Sequence, residues 1–324
     1  MKKASFAGIL SFILCLALMI QAFGAEFPTK PINILIGYAA GGSTDLSTRA
    51  LAAEASKILK QPIICNNQVG AAGTLVLGRV KGEKTDGYTI YNAPTANFCR
   101  IPHLQAVPYD PLKDFAFIMQ YGLYQYGILV RSDAPWKTLE ELIDYARNSP
   151  NRIKYGTSGL GTGQHLAMEY LGMKLGIKWD HIPFPGGAQV VAALLGGHVQ
   201  VISQTTEWKE QALAGKFRLL AVPTTQRLKA FPEVPTLIEK GHQFAVHSTL
   251  AFMGPAGMPA VAVEKLDKAF AEAMKSKVFL EVMDKFDMPP AYLGSEALTK
   301  FVLKDYQESG ELIKSLGIGI YKKQ

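Results

Sequence analysis

The chain has 324 residues, 48% of them hydrophobic and 19% charged, a balance that builds a sizeable globular core and excludes a disordered or fibrous protein. Its net charge is +7, but the basic residues are scattered, which argues against nucleic acid as a partner and leaves a modest field favouring anionic ligands.

In chain order, Lys2 and Lys3 form a positive n-region, and uncharged, largely apolar residues follow from Ala4 to Ala25, ending in small ones. The pattern predicts a signal peptide over residues 1–25, cut near Gly24 or Ala25, in preference to a single membrane anchor, and so a periplasmic mature protein. Cys15 follows Leu14, not the small residue a lipoprotein acylation site needs. Without Lys2 and Lys3, 32 basic side chains face 27 acidic ones, a net of +5. The remaining length suits two domains. Cys65 and Cys99 survive processing; an oxidising compartment permits a disulfide, but their apolar surroundings favour two buried free thiols.

Strand and helix signals then alternate. INILIGY (32–38) reads as a strand, followed by the turn AAGGSTD and a helix over 46–59. PIIC is a short strand, NNQVGAAG a loop, and a short helix starts at Thr74; Asp86-Gly87 turns into the strand YTIYN. A second series starts with YGILVRS and continues through LEELIDYARN, a helix for which Thr138 and Glu141 have capping-box spacing. Strands at IKYGT, HIPF, VQVIS and FRLLAV alternate with helices over 164–175, 188–195 and 207–214, the last stopped by Gly215. Helices from Ala260 to Phe286, with a break, and from Ser295 onward complete the chain. The β-α-β order predicts two α/β units with parallel strands.

Two turns carry the chemistry. In YAAGGSTDLSTRALA, Gly41 and Gly42 expose backbone amides at a helix N-terminus that Thr44 or Asp45 can cap. The turn lacks a P-loop lysine and does not fit the dinucleotide fingerprint, which favours carboxylate over phosphate; a ligand-free βα turn is the plainer alternative. KYGTSGLGTGQHL repeats the arrangement in the second unit with Ser158, Gly159, Gly161, Thr162 and Gly163. One such turn per unit predicts a ligand held between domains, at the carboxyl ends of the strands. Catalytic constellations are poor. There is no nucleophile elbow, and His165 with Glu169 at i, i+4 lacks the rest of a zinc motif, so His165 reads as packing or bracing. No catalytic residue, metal or cofactor is expected. Tyr121, Tyr124 and Tyr126 read as interdomain packing.

From about Phe27 to Gly317 the chain resembles the solute-binding receptors of tripartite tricarboxylate transporters. The resemblance runs through PTKPINILIGYAAGGSTDLSTRALA, QPIICNNQVGAAGT, KTDGYTI, VPYDPLKDFAFI, the segment APWKTLEELIDYARNSPNRIKYGTSGLGTGQHLAMEYL, HIPFPGGAQVVAALLGGHVQV, LAGKFRLLAV, FPEVPTLIEKG and MGPAGMP. It implies an α/β type II periplasmic-binding architecture with a cleft between two domains. The first would comprise 26–123 and a mostly helical 247–324, the second 124–246, with crossing hinge strands near Tyr121–Gly127 and Ala245–Leu250. It further implies a carboxylate clamped by Ala40, Gly41, Gly42, Ser43 and Asp45, with Thr95 and Asn97, on one side. Ser158, Gly161, Thr162 and His165 would act on the other. Phe184, Gly187, Ser203 and Gln204 would meet the ligand's distal end. For Asp45, helix capping is the favoured role, since a carboxylate facing a carboxylate repels. Receptors of this kind usually carry an acidic residue at Asn66, Arg-Pro at Gln68-Val69, Lys at Pro185 and Asp at Gln200; losing those charges opens the distal site to a neutral or aromatic group as readily as to a second carboxylate. The implied function is a monomeric periplasmic receptor that captures a small organic di-, tri- or aromatic carboxylate for the large and small integral subunits of a permease. A sensor presenting ligand to a signalling partner, and a cleft enzyme acting on carboxylates, are the alternatives.

Overall fold

The computed structural model describes residues 27–321; the expected signal peptide lies outside them. Eleven strands in these residues form two sheets. The first contains β1 (Ile32–Ile36), β2 (Ile63–Asn67), β3 (Thr89–Pro94), β4 (Phe115–Leu123), β10 (Thr249–Pro255) and β11 (Pro290–Gly294), in the order β11-β4-β10-β3-β1-β2. The second contains β5 (Tyr126–Arg131), β6 (Lys154–Thr157), β7 (Asp180–Pro183), β8 (Val201–Thr205) and β9 (Phe217–Ala221), in the order β7-β6-β8-β5-β9. Helices α1 (Ser43–Leu59), α2 (Thr74–Val80), α3 (Ala96–Cys99), α4 (Ile101–Leu104), α9 (Ala260–Ala273), α10 (Lys277–Lys285) and α11 (Ser295–Ser315) accompany the first sheet. Helices α5 (Leu139–Asn148), α6 (Gly163–Leu175), α7 (Gly187–Leu195) and α8 (Lys209–Leu213) accompany the second.

Ile32, Ile34 and Ile36 of β1 are fully buried, as a strand covered on both faces requires. β1 pairs in parallel with β2 and β3, and β6 in parallel with β7 and β8. The all-parallel expectation fails elsewhere: β10 is antiparallel to β3 and β4, β11 to β4, and β5 to β8 and β9. Three of these strands, β4, β5 and β10, flank the passages that carry the chain from one sheet to the other. The chain leaves the first sheet at Leu123, enters the second at Tyr126 and returns into β10 at Thr249. The two passages are joined to each other, Tyr124 N donating to Ser248 O at 2.9 Å.

Local signals fix several boundaries. Thr138 Oγ1 accepts from Glu141 N at 3.2 Å, while Glu141 accepts from Lys137 N at 2.5 Å, one residue beyond the N-cap amide of a reciprocal box. Asp86 Oδ1 accepts from Tyr88 N at 3.1 Å across a turn in which Gly87 has φ 85°. The helix expected over 207–214 is a 3₁₀ turn at Thr206–Trp208 running into α8, and Gly215, with φ 71°, ends it. The break expected in the last helices falls at Ser276, whose hydroxyl caps α10 through Phe279 N. Both cysteines are free; Cys99 is buried, but Cys65 is only partly so.

Candidate functional site

Three helix N-termini converge between the sheets. α1 begins after the β1 turn, α6 after β6 and α7 after β7, and residues from each line one cavity: Ser43 and Thr44, Gly163 and Gln164, Gly186 and Gly187. Tyr38 and Ala39 add to the first side, Ser158 and Thr162 to the second, and Tyr124, Tyr126 and Ser248 come from the crossings. Unsatisfied N–H groups at such termini favour negative charge.

The carboxylate already there belongs to the protein. Glu207 Oε1 accepts from Ser43 N at 3.1 Å and from Ser43 Oγ at 2.6 Å. Its Oε2 accepts from Thr205 Oγ1 at 2.6 Å and Gln204 Nε2 at 3.2 Å. Four donors, two from each side of the cleft, fill the acceptor capacity of a carboxylate. The neighbouring backbone makes room for it: a β-carbon on Gly187 would stand 2.3 Å from Glu207 Cδ. Gly42 and Gly186, at the N-cap positions of α1 and α7, supply no side-chain cap. With Glu207 seated, the cavity measures about 30 Å³, room for a water or two. It adjoins a vestibule of about 390 Å³ through Ser158, which lines both.

Glu207 overturns the expected capping of α1. Neither Thr44 nor Asp45 caps it: the helix begins at Ser43, and Thr44 Oγ1 bonds instead with Tyr124 Oη at 2.6 Å. Asp45 is buried beneath the turn. Its Oδ2 accepts from Gly41 N at 2.9 Å, and its Oδ1 from Arg49 Nε at 2.8 Å and Asn67 Nδ2 at 2.9 Å. Asp45 therefore braces the turn and occupies the Gly41 amide.

The second turn is braced in the same manner. Gly159 N donates to Thr157 Oγ1, Gly161 N to His165 Nδ1 at 3.3 Å, and His165 N to Thr162 Oγ1. His165 packs on His181 with ring centroids 4.5 Å apart. Burial, with the His181 charge second, pulls His165 down to about 3, and burial pulls His181 down to about 4, so both are neutral near pH 7. Gly161 itself faces Ile101 across the cleft; a β-carbon there would lie 2.6 Å from Ile101 Cγ1.

Of the expected site residues, Gly42, Ser43, Ser158, Thr162 and Gly187 line the cavity. Ala40, Gly41, Asp45, Gly161 and His165 do not; the last four shape the two turns. Thr95 and Asn97 also lie behind the wall, Thr95 Oγ1 accepting from Thr249 N and Asn97 Nδ2 donating to Ala72 O. Ser203 is fully buried, its hydroxyl without a partner. Gln204 acts one layer out: its Oε1 accepts from Ser158 Oγ at 2.8 Å and Gln164 Nε2 at 3.2 Å, while its Nε2 steadies Glu207. Phe184 lines the vestibule. The sequence reading missed Glu207, Tyr38, Gln164, Thr205 and Ser248. It also missed Arg100, a buried guanidinium that donates to Ser248 Oγ at 2.5 Å and to His247 O. Burial pushes the Tyr126 phenol up to about 12, the Arg100 charge pulling the other way. Trp208, fully buried beside Glu207, donates its indole N–H to Gln204 O at 3.0 Å.

Residues 47–318 match the family model of the tripartite tricarboxylate transporter receptors. The chain belongs to that family. The UPF0065 protein in the gbd 5′ region of Cupriavidus necator is 38% identical over 93% of this chain and 92% of its own length. Among solved structures, periplasmic binding protein BugD superposes with TM-score 0.85 at 30% identity, over 90% of this chain and 99% of its own. MatC of Rhodopseudomonas palustris, solved with bound malate, superposes with TM-score 0.83 at 25% identity, over 89% of this chain and all of its own. The fold is therefore that of the type II periplasmic binding proteins, and the family is one of solute-binding receptors rather than enzymes.

Proposed function

We propose that the chain is a periplasmic receptor that captures a small organic carboxylate in the cavity between its sheets and delivers it to a tripartite-type membrane permease. The observation that carries this reading is the seat of Glu207: helix N-termini and hydroxyls from both sides are arranged around a carboxylate. The malate held by MatC supports the same ligand chemistry. In this reading, residues 26–123 with 247–324 and residues 124–246 are two bodies that move about hinges near Tyr121–Gly127 and Ala245–Leu250. A ligand gripped by both turns favours the closed arrangement, which the permease recognises. Tyr124 and Tyr126 lie buried between the bodies, and Gly42 and Ser43 from one turn and Ser158, Thr162, Gly163 and Gln164 from the other line the cavity that takes the ligand.

Thermal-shift screening of ligand-stripped, refolded mature protein against mono-, di-, tri- and aromatic carboxylates, each beside its amide, tests the reading. A ligand of the folded state raises the melting temperature. A carboxylate that acts while its amide does not is the expected result; a folded, ligand-free protein that answers to no carboxylate overturns it.

A further inference from the structure

We infer that Glu207 restricts this receptor to ligands with a single carboxylate and an uncharged body. The inference rests on the carboxylate-receptor reading above and specifies its substrate class. Glu207 occupies the α1 N-terminus with a charge of the ligand's own kind, held by four hydrogen bonds. A second anion brought beside it meets like-charge repulsion in a site shielded from water. Behind Ser248, in the wall of the cavity, lies a group that wants negative charge. Arg100 is only 4% exposed, and among the described residues no acidic side chain forms an ion pair with it; Asp305, whose Oδ2 lacks a hydrogen-bond partner, does not. A buried cation without a counter-ion is costly. Ser248 accepts from Arg100 and lines the cavity beside Tyr126, the phenol that its own hydroxyl also approaches, so its hydrogen can turn from that phenol to a ligand oxygen. A ligand carboxylate at Ser248 would take two benefits together, a hydrogen bond and the nearby guanidinium charge.

The rest of the ligand must then leave the small cavity by way of Ser158 for the vestibule. Its wall includes Val69, Leu160, Pro183, Phe184 and Pro185, and it contains no charged side chain. A dicarboxylate therefore places its second charge either against Glu207 or in a wall with no cation to receive it. A monocarboxylate with an aliphatic or aromatic body avoids both.

The test titrates ligand-stripped mature protein calorimetrically with two matched pairs, hexanoate against adipate and benzoate against terephthalate, and repeats the series on Glu207→Gln. The expected result is that at least one pair shows the monocarboxylate bound tenfold or more tighter, and that Glu207→Gln narrows that ratio at least fivefold. Glu207→Ala, checked by far-UV circular dichroism, takes its place if the glutamine variant does not fold. Dicarboxylates or citrate bound as tightly as the monocarboxylates overturn the inference and leave the receptor reading standing. A preference unchanged in the folded variants removes Glu207 from its cause and likewise overturns it. No heat with any carboxylate from folded protein overturns the receptor reading and this inference together.

Discussion

His165, at the second turn, and His181, on β7, are both neutral in the fold and pack with their rings tilted at 46°, so acid should act on them first. Unfolded histidine titrates near 6.5, whereas these two are pulled down to about 3 and about 4, chiefly by burial. The unfolded chain therefore binds more protons in between, and stability rises with pH across that window. Its histidine-dependent part is complete above pH 6.5 and is lost as the pH falls towards 4. Glu169 Oε1, 3.9 Å from His165 Nε2, accepts from Tyr155 Oη at 2.7 Å, and burial outweighs it. Urea midpoints measured from pH 7.5 to 4.5 should fall steeply for the wild type and less steeply for His181→Gln; parallel slopes would exonerate the pair. Gly161 carries another residue-scale prediction. Its φ of 75° and its approach to Ile101 make Gly161→Ala both strained and obstructive to closure. The variant should melt several degrees lower and bind carboxylate at least tenfold more weakly, and an affinity equal to wild type would show that the two turns need not approach this closely. These residues were readable as turn glycines and a bracing histidine because local spacing announces them. Glu207 was not, because its partner Ser43 lies 164 positions away and the helical reading of 207–214 hid its direction. Arg100 was equally silent, since nothing in the sequence says that a lone arginine is buried against a hinge.

At the scale of elements, α5 shows how far local chemistry reaches. Its limits were readable to the residue from Thr138, Glu141 and the apolar spacing of LEELIDYARN, in which Leu139, Leu142, Ile143 and Ala146 are the buried face. Thr138→Ala should cost about 1 kcal/mol, visible as a lower urea midpoint with an unchanged slope; a cost near zero would mean that the Glu141–Lys137 bond alone holds this end. The parallel α/β units were equally legible. The strands that escaped are β4, β10 and β11. Every residue of β10 is buried, so its sequence TLAFMGP has no alternation to betray a strand, and β4 is nearly as apolar throughout. β11 is a five-residue edge segment opening with Pro290, a poor strand signal. All three pair antiparallel, and β4 and β10 flank the passages between the sheets.

Over the whole molecule, the two sides of the cleft are fastened by few bonds. Ser43 meets Glu207, Thr44 meets Tyr124, Ala39 N donates to Pro185 O at 3.4 Å, and Thr206 and Lys209 reach the carbonyls of Phe286 and Asp284. Most of these would have to be remade when the bodies separate, and only the Glu207 seat bears a charge at the cavity itself. Small-angle scattering of ligand-free protein should give a larger radius of gyration for Ser43→Ala/Glu207→Ala than for wild type. Equal radii would assign the closed arrangement to the crossings and the outer bonds.

Trp208 follows Glu207 directly in the same 3₁₀ turn, is fully buried, and packs on Phe231 with centroids 5.5 Å apart. The protein thus carries an optical probe one peptide unit from its own carboxylate. Any solute that unseats Glu207 must disturb the indole environment, whereas one that binds with Glu207 in place should leave it almost untouched. Tryptophan emission recorded during a titration, with Trp208→Phe removing one of only three such fluorophores, would report in real time which of the two happens.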